Sequence, residues 1–171
     1  MSTRFLLLTA LWTGLIFTSC KKSIENKSEY NASFAVWKNF KATSGNSYRY
    51  IVATSSWVGV SSETTITVRA GKVTDRSYVR RMLSGTPGVL TIIDEWAEDE
   101  TSLNTHDAGA ATHTLDDIYE QAKNDWLKVR PNTQTYFETN NNGLISSCGY
   151  VPDGCADDCF RGITITKIER L

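Results

Sequence analysis

Between residues 48 and 96 the chain repeats one pattern: a short β-branched and aromatic run, a Gly-bearing turn, then another such run. Residues 64–70 alternate, with Ile66 and Val68 on one side and Thr65, Thr67 and Arg69 on the other. A period of two fits a strand with one buried face and does not fit a helix. Ala70-Gly71-Lys72 is then a tight hairpin turn in which Gly71 supplies a positive φ. The cluster from Ser84 to Gly88 punctuates the chain a second time. Strands are therefore predicted over 48–54, 64–70, 73–82 and 89–96, joined as an antiparallel meander. If the second hairpin is symmetric about its turn, Arg76 faces Glu95, a cross-strand pair worth a few tenths of a kcal/mol to about 1 kcal/mol.

Helical spacing appears twice. Tyr30, Phe34 and Trp37 recur on one face with Phe40 on its flank, and Gly45 is a natural stop, so a helix is predicted over 30–43. Thr114 with Asp117 three residues on forms a capping box. Leu115, Ile118, Tyr119, Ala122 and Trp126 make the apolar stripe of a second helix that Pro131 ends. Strands follow over 133–138, 144–150 and 162–168, the first pair linked by Asn140-Asn-Asn-Gly143. The order helix, four strands, helix, three strands predicts an α+β fold, antiparallel meander sheet(s) with two helices. Residues 30–171 are read as one domain, and its aromatic side chains, each burying roughly 150–250 Å², supply a sizeable core.

The first twenty residues bear on compartment. Arg4 precedes an apolar run over 5–17, followed by Thr18-Ser19-Cys20. A positive start, an apolar core and small residues before a break are the parts of a secretory signal. The run is shorter than the roughly 20 residues that a membrane span needs, and Thr9, Thr13 and Gly14 interrupt it. Phe17-Thr18-Ser19-Cys20 resembles a bacterial lipobox. The resemblance implies a lipoprotein signal peptide over 1–19, cleavage before Cys20, and acyl chains such as palmitate on Cys20. An ordinary signal peptide leaving Cys20 as a free thiol is the alternative. Residues 20–29 read as a polar tether. Lys21 in place of the Asp that retains lipoproteins at the inner membrane implies the outer membrane of a Gram-negative cell. The expected membrane partner is thus reached through lipid at Cys20, since two or more chains anchor stably.

The net charge of −1 gives no basic bias, so no nucleic-acid partner is expected. Cys148, Cys155 and Cys159 all fall in the last quarter of the chain, and export places them in an oxidising compartment. One disulfide plus one odd thiol is the arithmetic. Cys148–Cys159 is the pairing expected, with Cys148–Cys155 as the alternative; a bond of this loop length stabilises by roughly 2–3 kcal/mol. Three thiolates with His106 or His113 make a sharper zinc alternative, but the spacing does not match a zinc motif.

Several segments resemble a family designated domain of unknown function 6174. They are Trp37, Tyr48-Arg49-Tyr50, Gly71-Lys72-Val73, Thr114-Leu-Asp-Asp-Ile-Tyr119, Gly143-Leu-Ile, Cys148-Gly-Tyr150 and Ala156-Asp157-Asp158, although Leu144-Ile145 stands where Tyr-Pro is usual. The resemblance covers residue 37 to the end. It implies bacterial envelope proteins, often lipoproteins, and assigns no activity.

Candidate chemistry is sparse. Asp153, Asp157 and Asp158 form an acidic loop, but not at the spacing of an EF-hand. His106, Asp107 and His113 share a loop without a His-Glu-x-x-His pattern. No serine elbow, Walker loop or dinucleotide fingerprint occurs, so no catalytic residue and no cofactor is expected. Arg76, Tyr78 and Arg80 read as a solvated strand face neutralised by Glu95, and Trp57 as a core residue. The reading favoured is a non-catalytic envelope module that binds a protein, peptide or polymer. The alternatives are a metal-dependent enzyme built from the 106–113 and 153–158 loops, and an inhibitor of a secreted enzyme presenting Tyr48, Tyr50 and Trp57 on a concave sheet face.

Overall fold

The computed structural model describes residues 23–86, 88–156 and 158–171. Helix α1 (Lys27–Thr43) precedes strands β1 (Tyr48–Ser55), β2 (Val60–Arg69), β3 (Lys72–Leu83) and β4 (Leu90–Glu98). Helix α2 (Leu115–Gln121) runs on into a π-helical turn (Ala122–Trp126), followed by β5 (Thr133–Glu138), β6 (Ser147–Pro152) and β7 (Arg161–Arg170). The strands form one seven-stranded antiparallel sheet in the order β4-β3-β2-β1-β7-β6-β5. The α+β architecture and element order are those the patterning predicts.

The helices pack on one face. Ile66 and Val68 are fully buried, as the alternation of β2 requires. Trp37 of α1 sits edge-on to Tyr48 and stacked on Tyr119, so α1, β1 and α2 meet at three aromatic rings. The polar ends of the two tyrosine rings are satisfied within the core, and the Trp37 indole donates to Asp116 at its edge. The Leu115 amide, an orphan donor at the start of α2, donates to the Tyr48 hydroxyl at 2.8 Å. The Tyr119 hydroxyl lies 2.7 Å from Ser33 Oγ and accepts from the Ile145 amide. Burial pushes the Tyr119 phenol up to about 12. The capping box at Thr114 and Asp117 is present in both directions. All five residues of the predicted stripe are buried. Leu127 is buried as well: its amide bonds back to the Ala122 carbonyl, one residue further than in an α-helix, which lets Trp126 and Leu127 both turn inward.

Several expectations are corrected. Helix α1 begins three residues earlier than the aromatic spacing predicts. Ile24 bridges to Lys128 and Glu25 donates to the Leu127 carbonyl, so the later part of the predicted 20–29 tether is docked onto the domain. Arg76 faces Glu98, and Glu95 faces Val79, because the turn is longer and a bulge at Ile93 shifts the register between Arg80 and Arg81. Arg76 and Tyr78 are buried, leaving only Arg80 of that trio exposed. Trp57 is 80% exposed, at the tip of the β1–β2 turn. Tyr48 and Tyr50 lie in the core, so no exposed aromatic face includes them.

Candidate functional site

Strand β7 changes partners part-way along. Residues 161–164 pair with β6, whereas the ladder to β1 runs from Tyr48↔Arg170 only as far as Val52↔Ile165. A strand that switches neighbours leaves a wedge on either side of the switch point. One wedge is closed: the Asn141 amide donates to both the Ile145 and Ile165 carbonyls at 2.9 Å. The other, between residues 53–55 of β1 and 161–164 of β7, is open. No described strand pairs with either edge there.

The cleft opens to both faces of the sheet. On the helix side a hollow of about 400 Å³ is lined by Thr54, Ser62, Thr64, His113, Trp126 and Ile163, among others. On the uncovered side a hollow of about 740 Å³ includes Ala53, Glu63, Arg81, Asp158, Phe160 and Thr164. Val52, Thr54, Ser62, Gly162 and Ile163 line both. Hydroxyls supply much of the polar part of the walls. Thr54 and Ser62 bond to each other at 2.7 Å, and Glu63 and Arg81 neutralise each other at 2.8 Å. His113 is the sole titratable side chain among the residues lining the helix side. The π-helical turn supplies Trp126 to this wall; such turns recur at functional sites.

The loop that roofs the helix side is held by a buried ion pair. Arg76 is 3% exposed and grips Glu98 with two bonds, Nε to Oε2 at 2.8 Å and Nη2 to Oε1 at 2.9 Å. Its remaining donors reach the His106 and Ala110 carbonyls. Glu98 in turn accepts from the Asn104 and His106 amides and from the His106 ring. The Arg76 guanidinium, aided by these donors and against the cost of burial, holds the Glu98 carboxyl well below the usual carboxylate range. The His106 ring stacks on Trp96 at 4.3 Å. Gly109, at φ 88°, passes close over Thr64, Tyr78 and Trp96, where a side chain would crowd all three. The Ala110 amide then donates to Thr64 Oγ1 at 2.9 Å and fixes the roof to β2.

The residues singled out from the sequence are scattered. His106 is a structural pin on Glu98, while His113 faces the cleft and its carbonyl accepts from the Tyr50 hydroxyl. Asp153 is exposed in the β6–β7 turn, Asp158 lies at the mouth of the cleft, and Asp157 lies outside the described residues. Among the described residues no three His, Cys, Asp or Glu side chains converge on a common point. The disulfide expectation is corrected: Cys155 pairs with Cys159, and Cys148 is a buried thiol, in place of Cys148–Cys159 or Cys148–Cys155. The reason is strand direction. Cys148 alternates inward on β6 among the core residues, opposite Ile163, while the other two share one turn. Burial pushes the Cys148 thiol up to about 12.

Sequence reasoning missed Thr54, Ser62, Thr64 and Gln121, which carry no motif. Glycines within strands were the available signal. Gly149 and Gly162 face one another across β6 and β7, and a Cβ on Gly162 would sit 2.1 Å from the Cys148 carbonyl oxygen. Comparison of the chain with protein-family models, with curated proteins and with solved structures finds no match.

Proposed function

We propose that this protein is a non-catalytic binding module of the bacterial envelope, lipid-anchored through Cys20 at the outer membrane, whose β1–β7 cleft takes an extended peptide segment as an added strand. The observation that carries the binding reading is the open wedge, where two strand edges face each other with no ladder partner. Unpaired backbone donors and acceptors on a strand edge are a template for a further strand, and alternate side-chain pockets then give selectivity. Hydroxyls on the walls favour a segment with small polar side chains, and Asp158 at the mouth disfavours an acidic one. Trp126, Ile163 and Phe160 offer apolar contacts on the two sides. The lipid anchor, and with it the envelope setting, is supported by the lipobox-like residues before Cys20.

A catalytic reading finds less support, since nucleophilic or acid–base catalysis needs a reactive group with a partner that activates it. His113 is the one titratable side chain lining its side of the cleft, its neighbour Asp117 is held by Thr114 in the capping box, and His106 is engaged with Glu98. The test is selection of phage-displayed random heptapeptides on the wild-type protein and on Thr54→Trp, which fills the cleft. Binders that require an unfilled cleft are the expected result; a selection unaffected by Thr54→Trp overturns the peptide site. Equal membrane fractionation of wild type and Cys20→Ala overturns the anchor.

A further inference from the structure

One end of the sheet carries an apolar rim. Strand β1 turns there through Trp57 and Val58 into β2, and at the same end β3 finishes at Leu83 and β4 begins at Leu90. Trp57 is 80% exposed, and Val58, Leu83, Val89, Leu90 and Ile92 are each about half-exposed. The two turns form one surface. The Leu83 amide donates to the Gly59 carbonyl at 3.0 Å, and the Leu83 side chain packs over Gly59 so closely that a Cβ there would meet it. Neither turn contains a charge: residues 56–60 read Ser-Trp-Val-Gly-Val, and residues 82–91 run from Met82 to Thr91 without a charged residue. A contiguous apolar patch on a polar protein marks a contact with another protein or with a membrane.

The path of the chain selects the membrane. Because neighbouring strands are antiparallel, β5 and β7 begin at the same end at which β1 finishes. The described chain enters at that end too. Ser23 lies against Lys128, Val129 and Arg130, just ahead of β5, and Ile24 bridges to Lys128. Cys20 precedes Ser23 by three residues, which span at most about 10 Å. A bilayer holding acyl chains on Cys20 therefore comes within reach of the rim, and Trp is a residue that favours the membrane interface. Among the described residues no helix is long and apolar enough to cross a membrane. We propose that the Trp57–Leu90 rim seats in the interface of the bilayer that holds Cys20, as a second contact beside the lipid. It orients the domain with this end down, which brings the end of the β1–β7 cleft at Leu90 and Asp158 next to the bilayer. This rests on the anchor proposed above and not on the peptide site.

The test uses the full chain purified from membranes and reconstituted into phosphatidylethanolamine/phosphatidylglycerol vesicles with brominated acyl chains. Tryptophan quenching is compared between wild type and Trp57→Phe. A quenched component that disappears in Trp57→Phe is expected. In the Cys20→Ala background, Trp57→Ser is expected to lower vesicle partition about tenfold, the scale of withdrawing one large apolar side chain. Protein that floats with the vesicles while Trp57 stays unquenched overturns the rim contact and leaves the anchor standing. Protein that does not float overturns both. A concentration-dependent dimer of Cys20→Ala, broken by Leu90→Ser, assigns the rim to a second copy and overturns the membrane contact. Far-UV circular dichroism checks that these exposed-site variants are folded.

Discussion

Replacing Arg76 with Met probes the joint on which the roof of the cleft depends. The guanidinium is 3% exposed and supplies two bonds to Glu98 and two to loop carbonyls. Met keeps much of the stem volume but leaves the Glu98 carboxylate buried beside amide donors and one imidazole. Breaking a buried pair from one side costs about 3–5 kcal/mol. That is a large part of the roughly 5–15 kcal/mol that stabilises a domain. At about 2–4 °C per kcal/mol for a chain of this size, the midpoint of thermal unfolding falls by about 6–20 °C. Urea unfolding at pH 7 in the Cys20→Ala background reads the change. Adding Glu98→Gln to Arg76→Met recovers much of the loss, because the orphaned charge is gone. The pH dependence has a fixed sign. The native Glu98 carboxyl titrates below its unfolded counterpart, so its contribution is complete above the ordinary carboxylate range. It is lost as pH falls from there towards the native value, and the penalty of Arg76→Met shrinks over the same window. A cost under about 1 kcal/mol, or a double variant that is merely additive, refutes the reasoning.

Three further outcomes follow from the packing. Cys148, buried with a thiol raised to about 12, resists iodoacetamide in the native protein, and peptide mapping finds Cys155 joined to Cys159; rapid labelling of Cys148 contradicts its placement. Gly162→Ala forces β6 and β7 apart, since the new Cβ meets the Cys148 carbonyl oxygen at 2.1 Å, and it is expected to cost about 1–3 kcal/mol by urea titration. Tyr119→Phe removes the hydroxyl that bonds Ser33 and the Ile145 amide, with an expected loss of about 1–3 kcal/mol at an unchanged denaturant slope.

The fold was legible where periodicity was strong. Ile66 and Val68 on β2, and the stripe from Leu115 to Trp126, declare their buried faces by spacing alone, and all of them are buried. Register was not legible. A one-residue bulge at Ile93 and a longer turn move the partner of Arg76 from Glu95 to Glu98, and no local propensity encodes that shift. The error carried over into chemistry, because a residue read as surface charge is in fact the buried clasp of the roof. Trp57 misled for the opposite reason: a large aromatic is usually buried, and only tertiary geometry shows that its turn projects beyond the sheet. The cleft was invisible to motif reasoning because it is made by an absence, the end of a ladder between two strands more than a hundred residues apart.

The most direct test of the central claim is hydrogen exchange at the backbone amides of residues 53–55 and 161–164, with and without a heptapeptide selected on the wild-type protein. Cleft-facing amides that exchange quickly alone and slow together on both strands when the peptide is added are the expected result. Those amides already protected without peptide, or protection appearing elsewhere on the sheet while these stay unchanged, would contradict the assignment.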